Sequence, residues 1–407
     1  TDIYLHDRND ASSVRVSVET GGAQANNPSV NPSISADGSL VLFQSTASNL
    51  LATSDSNGFA DVFRRDRTAA STLRVSLADA AGPFAEVGNG QSNLSLNGRS
   101  QISGDGRFVV FETSATNLFP GDSDASSDVM LFDRQTASLE VISISTAGVL
   151  GNSQSVFPAV SADGRYVAFR SYASNLVAND TNGYYDVFVR DRQLAQTTRV
   201  SVATGGAQAY GDGAVSISGD GRYVAFASSA NNLVVGDSNN TYDIFVHDRD
   251  TVTTTRVSVD SAGLQATNSS TNPSLSSDGR YVAFQSDATN LVAGDNNGAS
   301  DVFVHDRNTA STSRVSVDGG GQEVNSSSSY ASISGDGTRV AFGSNASNLV
   351  PGDINGQRDV FVRDLSAGTT SRVNISSAGL QANNYSDAPA ISADGRTVVF
   401  YSQASNL

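Results

Sequence analysis

The chain has 407 residues and a formal charge of −16, and all 25 of its basic residues are Arg. No basic footprint is offered to nucleic acid or to an anionic membrane, and without Cys there is neither a disulfide framework nor a Cys-based metal or redox site. No apolar run approaches the ~20 residues that span a bilayer, so membrane insertion is not expected.

Internal repetition dominates what remains. An Asp-Gly pair recurs at Asp37, Asp105, Asp163, Asp220, Asp278, Asp336 and Asp394, with a first step of 68 residues and later steps of 57 or 58. One unit has therefore been copied seven times. In the third copy the first strand is expected around Ala159-Val-Ser, the second over 165–171, the third over 186–191 and the fourth over 198–202. Asp-Gly at a two-residue connection is a strong hairpin signal because both residues tolerate positive φ. Tyr-Val-Ala-Phe and Val-Phe-Val are short, β-branched, nearly continuous apolar runs, as suits strands covered on both faces. Four antiparallel strands copied around a ring describe a β-propeller.

The chain opens on a third strand (Asp2 to Asp7) and a fourth (Val14 to Val18), and stops after a first and a second (Ala393 to Asn406). Pairing these half-blades, residues 1–18 with 388–407, completes a seventh blade and removes the exposed sheet edges. The expectation is an all-β, seven-bladed propeller forming one domain over 1–407.

The motif Ser-x-Asp-Gly-Arg-x-Val-Ala-Phe, followed by Asp-Val-Phe-Val-x-Asp, resembles the repeat of TolB-type (WD-like) β-propellers. That group includes periplasmic TolB and the propellers of some peptidases and oligogalacturonate lyases. The resemblance covers the whole chain and implies the ring fold, while function varies widely on that fold. Where the usual motif reads Ser-Pro-Asp-Gly, this chain has Ala, Gly or Ser in place of Pro.

The loop between second and third strands is acidic and evenly spaced in six copies. It carries Asp55/Asn57/Asp61, Asp122/Asp124/Asp128, Asp180/Asn182/Asp186, Asp237/Asn239/Asp243, Asp295/Asn297/Asp301 and Asp353/Asn355/Asp359. Oxygen ligands at positions 1, 3 and 7 could wrap Ca²⁺, a hard cation that takes six to eight oxygens. An Asx-turn with a left-handed fourth residue accounts equally for positions 1, 3 and 4. The Asp at position 7 recurs even as Asp2, and accepting backbone amides from the turn is its simplest structural role.

Two other features share that loop face. The excess of the first step falls between Leu77 and Asp105 and reads as a long interblade connector carrying Phe84 and Glu86. Exposed aromatics are expected at Phe59, Tyr184, Tyr185 and Tyr242, beside carboxylates, where they could stack on a sugar or anchor a protein. His6, His247 and His305 share a column that elsewhere accepts Phe132 or Arg190, so they are not read as ligands. Pairs such as Asp66/Arg74 and Asp191/Arg199 are read as rim ion pairs across a short turn, and Asn49-Leu50 as a turn with a core anchor.

P-loop, zincin and Gly-x-Ser-x-Gly signatures are absent. Composition rich in Ser, Asn, Thr and Gly with high acidity suits a bacterial extracellular or periplasmic surface. The sequence thus favours a non-catalytic propeller binding a protein or glycan through its loop face, with calcium as a possible stiffener. The alternatives are a carbohydrate-active propeller enzyme, such as a polysaccharide lyase, and a structural module of a larger surface protein.

Overall fold

The computed structural model describes residues 1–52, 55, 57–78, 86–94, 101–123 and 125–407. Seven four-stranded antiparallel sheets stand around a central channel, and no helix occurs among the described residues. In the third blade the strands Ser155–Val160, Tyr166–Ser171, Asp186–Asp191 and Gln196–Arg199 pair in that order, from the channel outward. Phe169 and Phe188 face each other in register with ring centroids 5.8 Å apart, and both are fully buried. Burying one such ring stabilises by roughly 1.5–3 kcal/mol. The core lies between blades: Val187 and Val189 of the third pack with Val215, Val224 and Phe226 of the fourth. The outermost strand stops earlier than the sequence suggests, because Ser201 turns its hydroxyl onto buried Asp186 (2.5 Å) and the chain leaves for the next blade.

The ends close as expected. Asp2–Asp7 pairs with Thr397–Ser402, from Asp2 opposite Ser402 to Asp7 opposite Thr397, flanked by Ser12–Arg15 outside and Ser386–Ile391 inside. Arg396 reinforces the seam with a 2.7 Å ion pair to Asp7.

On the hairpin face the glycine is required twice over. Gly164 has φ +72°, and a Cβ there would lie 2.0 Å from the Phe108 ring of the preceding blade. Tyr166, the next residue in Phe108's column, sits between its own blade's Arg165 (4.7 Å to the ring centroid) and Arg249 of the fourth blade (4.2 Å). Closer to the axis, the residue before Asp-Gly carries a run of six backbone hydrogen bonds from blade to blade. Gly104 N–H donates to Ala162 O, Ala162 to Gly219, Gly219 to Ser277, Ser277 to Gly335, Gly335 to Ala393 and Ala393 to Ala36, all at 2.8–3.0 Å. Proline has no N–H and could not donate here. A methyl on Gly335 would lie 2.9 Å from Ala393 Cβ, so this position stays small.

Two expectations are corrected. Asp191 pairs with Arg165 (2.7 Å), whereas Arg199 reaches Asp180 and Asp186. The register gives the reason: Asp191 stands opposite Gln196 and Arg199 opposite Phe188, so the two residues lie at opposite ends of their hairpin. The same exchange holds for Arg74, Arg256, Arg314 and Arg372, and Arg15 pairs with Asp2. Second, the extra residues of the first step are split. Leu77–Ala78 pairs with Glu86–Val87, and Ser92–Asn93 and Ile102 both already pair with the second strand of the second blade, while residues 79–85 and 95–100 lie outside the described residues.

Candidate functional site

Five of the six acidic loops are built around a cation supplied by the chain itself. In the third blade Arg199 Nη1 lies 3.4 Å from Asp180 Oδ1 and 3.5 Å from Asp186 Oδ2. Asn182 Nδ2 and Ser201 Oγ donate to the two oxygens of Asp186, and Gln208 Nε2 donates to Asp180. Asp186 is therefore held by side chains rather than by backbone amides of the turn. The same pattern holds for Asp55 and Asp61, Asp237 and Asp243, Asp295 and Asp301, and Asp353 and Asp359, where an Arg stands 3.2–3.5 Å from both carboxylates. Val141 occupies the corresponding register position in the second blade, the loop of Asp122, where Asp128 accepts from Ser143. Burial pushes Asp61, Asp186 and Asp295 up to about 6, against the pull of the neighbouring Arg.

The asparagines at position 3, expected as oxygen ligands, are tied into the loop by both ends of the amide. Asn57, Asn182, Asn239, Asn297 and Asn355 turn Nδ2, not oxygen, onto Asp61, Asp186, Asp243, Asp301 and Asp359, at 3.0–3.2 Å. Their side-chain oxygens accept the backbone amides of Phe59, Tyr184, Thr241, Ala299 and Gln357, two residues on in each loop. The Asx-turn thus uses one of the two lone pairs of that oxygen, and the amide nitrogen is spent on the carboxylate at position 7. Asp359 is met by donors on several sides, from Asn355, Arg372, Asn374 and Gln381.

One loop differs. Glu323 stands where four other blades have Gln, and Asp295, Asp301 and Glu323 bring ligand oxygens within 4.8 Å of one another. Arg314 lies among them, 2.7 Å from Glu323. Asp124 and Phe84 lie outside the described residues, as does the side chain of Glu86.

The aromatic expectations divide. Phe59 and Tyr184 are exposed, whereas Tyr185 and Tyr242 are half-buried. Tyr184 stacks on Tyr210 at 4.8 Å, and Tyr185 meets exposed Tyr172 edge-on at 5.2 Å. Both half-buried tyrosines belong to a cluster at the loop-face mouth of the channel, most of which the sequence reading missed. Arg170 lies over the rings of Phe157 (4.6 Å) and Tyr185 (4.2 Å) and donates through Nη1 to the Asp212 carbonyl. Tyr242 donates to Asp212 Oδ2 at 2.9 Å, and the Phe157 amide donates to Glu112, whose carboxyl burial pushes up. Across the mouth, Arg358 lies over Tyr330 at 5.6 Å and pairs with Asp387 at 2.8 Å, which accepts from Tyr385 at 2.7 Å.

The backbone explains why these side chains meet. Five innermost strands bulge near the mouth, and the bulge residues Asn31, Phe157, Asn272, Tyr330 and Ala388 take φ of 48–59°. Proline follows four of them, at a point where the pairing register breaks. A signal for the cluster does exist in the sequence. The column after each second-strand Phe reads Gln44, Glu112, Arg170, Ala227, Gln285, Gly343 and Tyr401 inside an otherwise constant motif.

The three histidines are buried and bond through Nδ1 to Ser13, Thr254 and Thr312; burial lowers His247 to about 4. Leu50 is buried, and Asn49 ties its turn to the preceding connector.

Neither a protein-family model nor a curated protein sequence matches the chain. Solved structures do. The β-propeller domain of the Trilobed protease from Pyrococcus furiosus matches with TM-score 0.54 and 11% identity over 93% of this chain and 96% of that one. It is described as an open velcro topology, whereas the ends pair here. Oligogalacturonate lyase from Vibrio parahaemolyticus matches with TM-score 0.52 and 11% identity, over 98% and 97% of the two chains. A TolB structure from Agrobacterium tumefaciens matches with TM-score 0.44 and 13% identity, also over 98% and 97%. The likeness to the protease propeller and to the lyase, at 11% identity, is one of fold.

Proposed function

We propose that this propeller is a non-catalytic binding module, working outside the cytoplasm, that takes a glycan through its loop face. One observation carries the reading: residues that break the sevenfold repeat gather at the loop-face mouth, as rings beside Arg and carboxylates. Beyond them the channel is lined by one apolar residue per blade, from Ile34 to Ile391, and by the hydrogen-bonded small residues near the hairpin face. A ligand is therefore met from the loop side, where aromatic faces offer stacking and the polar groups offer hydrogen bonds.

The test is a glycan array probed with wild type, with Tyr184→Ala/Tyr185→Ala and with Asp250→Asn on the hairpin face. Loss in the tyrosine pair alone supports the reading. Binding lost only in Asp250→Asn would place the site on the wrong face, and breakdown of a captured glycan would make the protein an enzyme.

Calcium is the part of the sequence reading that the guanidinium argues against. With Arg already between the paired carboxylates, a chelator is expected to leave Tm unchanged. A rise in Tm with added calcium that Glu323→Gln abolishes would restore metal to the three-carboxylate loop.

A further inference from the structure

The rim of the third blade, together with the mouth, bears on the form of glycan taken, an inference that rests on the glycan reading above. Tyrosines enter columns there that are polar in the other copies. Tyr172 stands where the other six have Thr, Ser, Asp, Asn or Gln, and Tyr210 where five of them have Asn. Such an Asn ties two turns together, as Asn152 Nδ2 does by donating to Ser174 Oγ, whereas Tyr210 stacks on Tyr184. Tyr172 is 46% exposed and Tyr184 57%. These rings face solvent in columns that fold elsewhere without a ring, so they are free to stack on a ligand.

Contacts join this rim to the mouth. Tyr172 meets Tyr185 edge-on at 5.2 Å, and Arg170 lies 4.2 Å from the Tyr185 centroid and 4.6 Å from that of Phe157. Phe157 and Tyr330 in turn wall a cavity of about 330 Å³. Exposed Tyr172 is thus three contacts away from Phe157, and one sugar ring cannot touch Tyr172 and fill the cavity as well.

Charge is matched at the mouth. The cavity is lined by one acid, Asp212, and one base, Arg170, and Arg358, over the Tyr330 ring, pairs with Asp387. Neither an ammonium nor a carboxylate on a ligand would supply a missing charge. Hydroxyl groups both donate and accept, and the C–H faces of a sugar stack on aromatic rings.

We propose that the loop face binds an uncharged linear polysaccharide, with one unit in the cavity walled by Phe157 and Tyr330 and the next ones against Tyr172 and Tyr184. Recognition then rests on stacking summed over several units, so affinity grows with chain length and is insensitive to salt.

The experiment is calorimetric titration at low and high salt with the linear dimers and hexamers of glucose, mannose and xylose, and with tetragalacturonate. At least one hexamer is expected to bind about tenfold more tightly than its dimer, and more tightly than tetragalacturonate, with little change between the two salts. Tyr172→Ala should bring that hexamer down to about the affinity of its dimer and leave the dimer unaltered, whereas Tyr330→Ala should weaken both. Equal affinity for dimer and hexamer, loss of binding at high salt, tighter binding of tetragalacturonate, or undiminished hexamer affinity in either variant with a native melting curve would each overturn the proposal. If no oligomer binds while the array captures another glycan, the chain inference fails and the glycan reading stands. A blank array as well would end both.

Discussion

The hairpin face and the loop face are made by the same seven units, yet their carboxylates are perturbed in opposite senses. On the hairpin face the Arg107 and Arg222 guanidinium groups hold Asp133 and Asp248 down to about 2. On the loop face burial pushes Asp61, Asp186 and Asp295 up to about 6 although each has an Arg beside it. Solvent makes the difference. Arg107 and Arg222 stay over a third exposed, so pairing costs little, whereas Arg199 and Arg314 are nearly buried with two or three acids each. The hairpin face holds blades together with repeated, independent clasps. The loop face concentrates desolvated charge, and the repeat is broken at its mouth, where binding is proposed.

The largest effect that could break this comparison comes from removing the central cation of one loop. Arg199→Gln leaves Asp180 and Asp186 side by side without their buried partner and is expected to cost about 3–5 kcal/mol in urea denaturation. Arg165→Gln on the hairpin face should lose far less, because its pair with Asp191 is partly solvated. Equal losses would mean that the two faces use their ion pairs alike.

A pair of glycine substitutions sharpens the same contrast. Gly164 and Gly183 both have positive φ, but a Cβ at Gly183 would meet nothing within 4 Å, while at Gly164 it would strike Phe108. Gly183→Ala should cost about 1 kcal/mol of backbone strain. Gly164→Ala should add roughly 1–3 kcal/mol of overpacking to that. Thermal melts compared at matched concentration would show it, and a similar Tm for the two variants would remove the hairpin face's claim to be the interblade clamp.

The smallest effect is the pH dependence, and its sign differs between the faces. Between about 4 and 6 the folded loop carboxylates keep protons that the unfolded chain has released, so their contribution to stability falls as pH rises through that window. Between about 2 and 4 the hairpin carboxylates are ionised only in the folded state, so their contribution is present above pH 4 and lost on acidification. Together the two sets predict a stability maximum near pH 4. Asp186→Asn should flatten the limb above it and Asp248→Asn the limb below; one monotonic profile would contradict the assignment.

Much of the architecture was legible because it is local and repeated. Asp-Gly needs positive φ, Val-Phe-Val needs two covered faces, and seven copies with split ends need a closed ring; each follows from residues close together in sequence. The acidic loops and their even spacing were visible too, but the guanidinium among the carboxylates was not, because Arg199 lies 13 residues beyond Asp186 and its partner follows from strand register. The break in the column of Gln44, Glu112 and Arg170 could be seen, but not its meaning. Tertiary structure alone decided that Arg170, Asp212, Tyr242 and Tyr330, from the third, fourth and sixth units, share one cavity. Local chemistry sets each blade, whereas the angle at which blades pack and the bulge that bends each inner strand decide which side chains meet at the mouth.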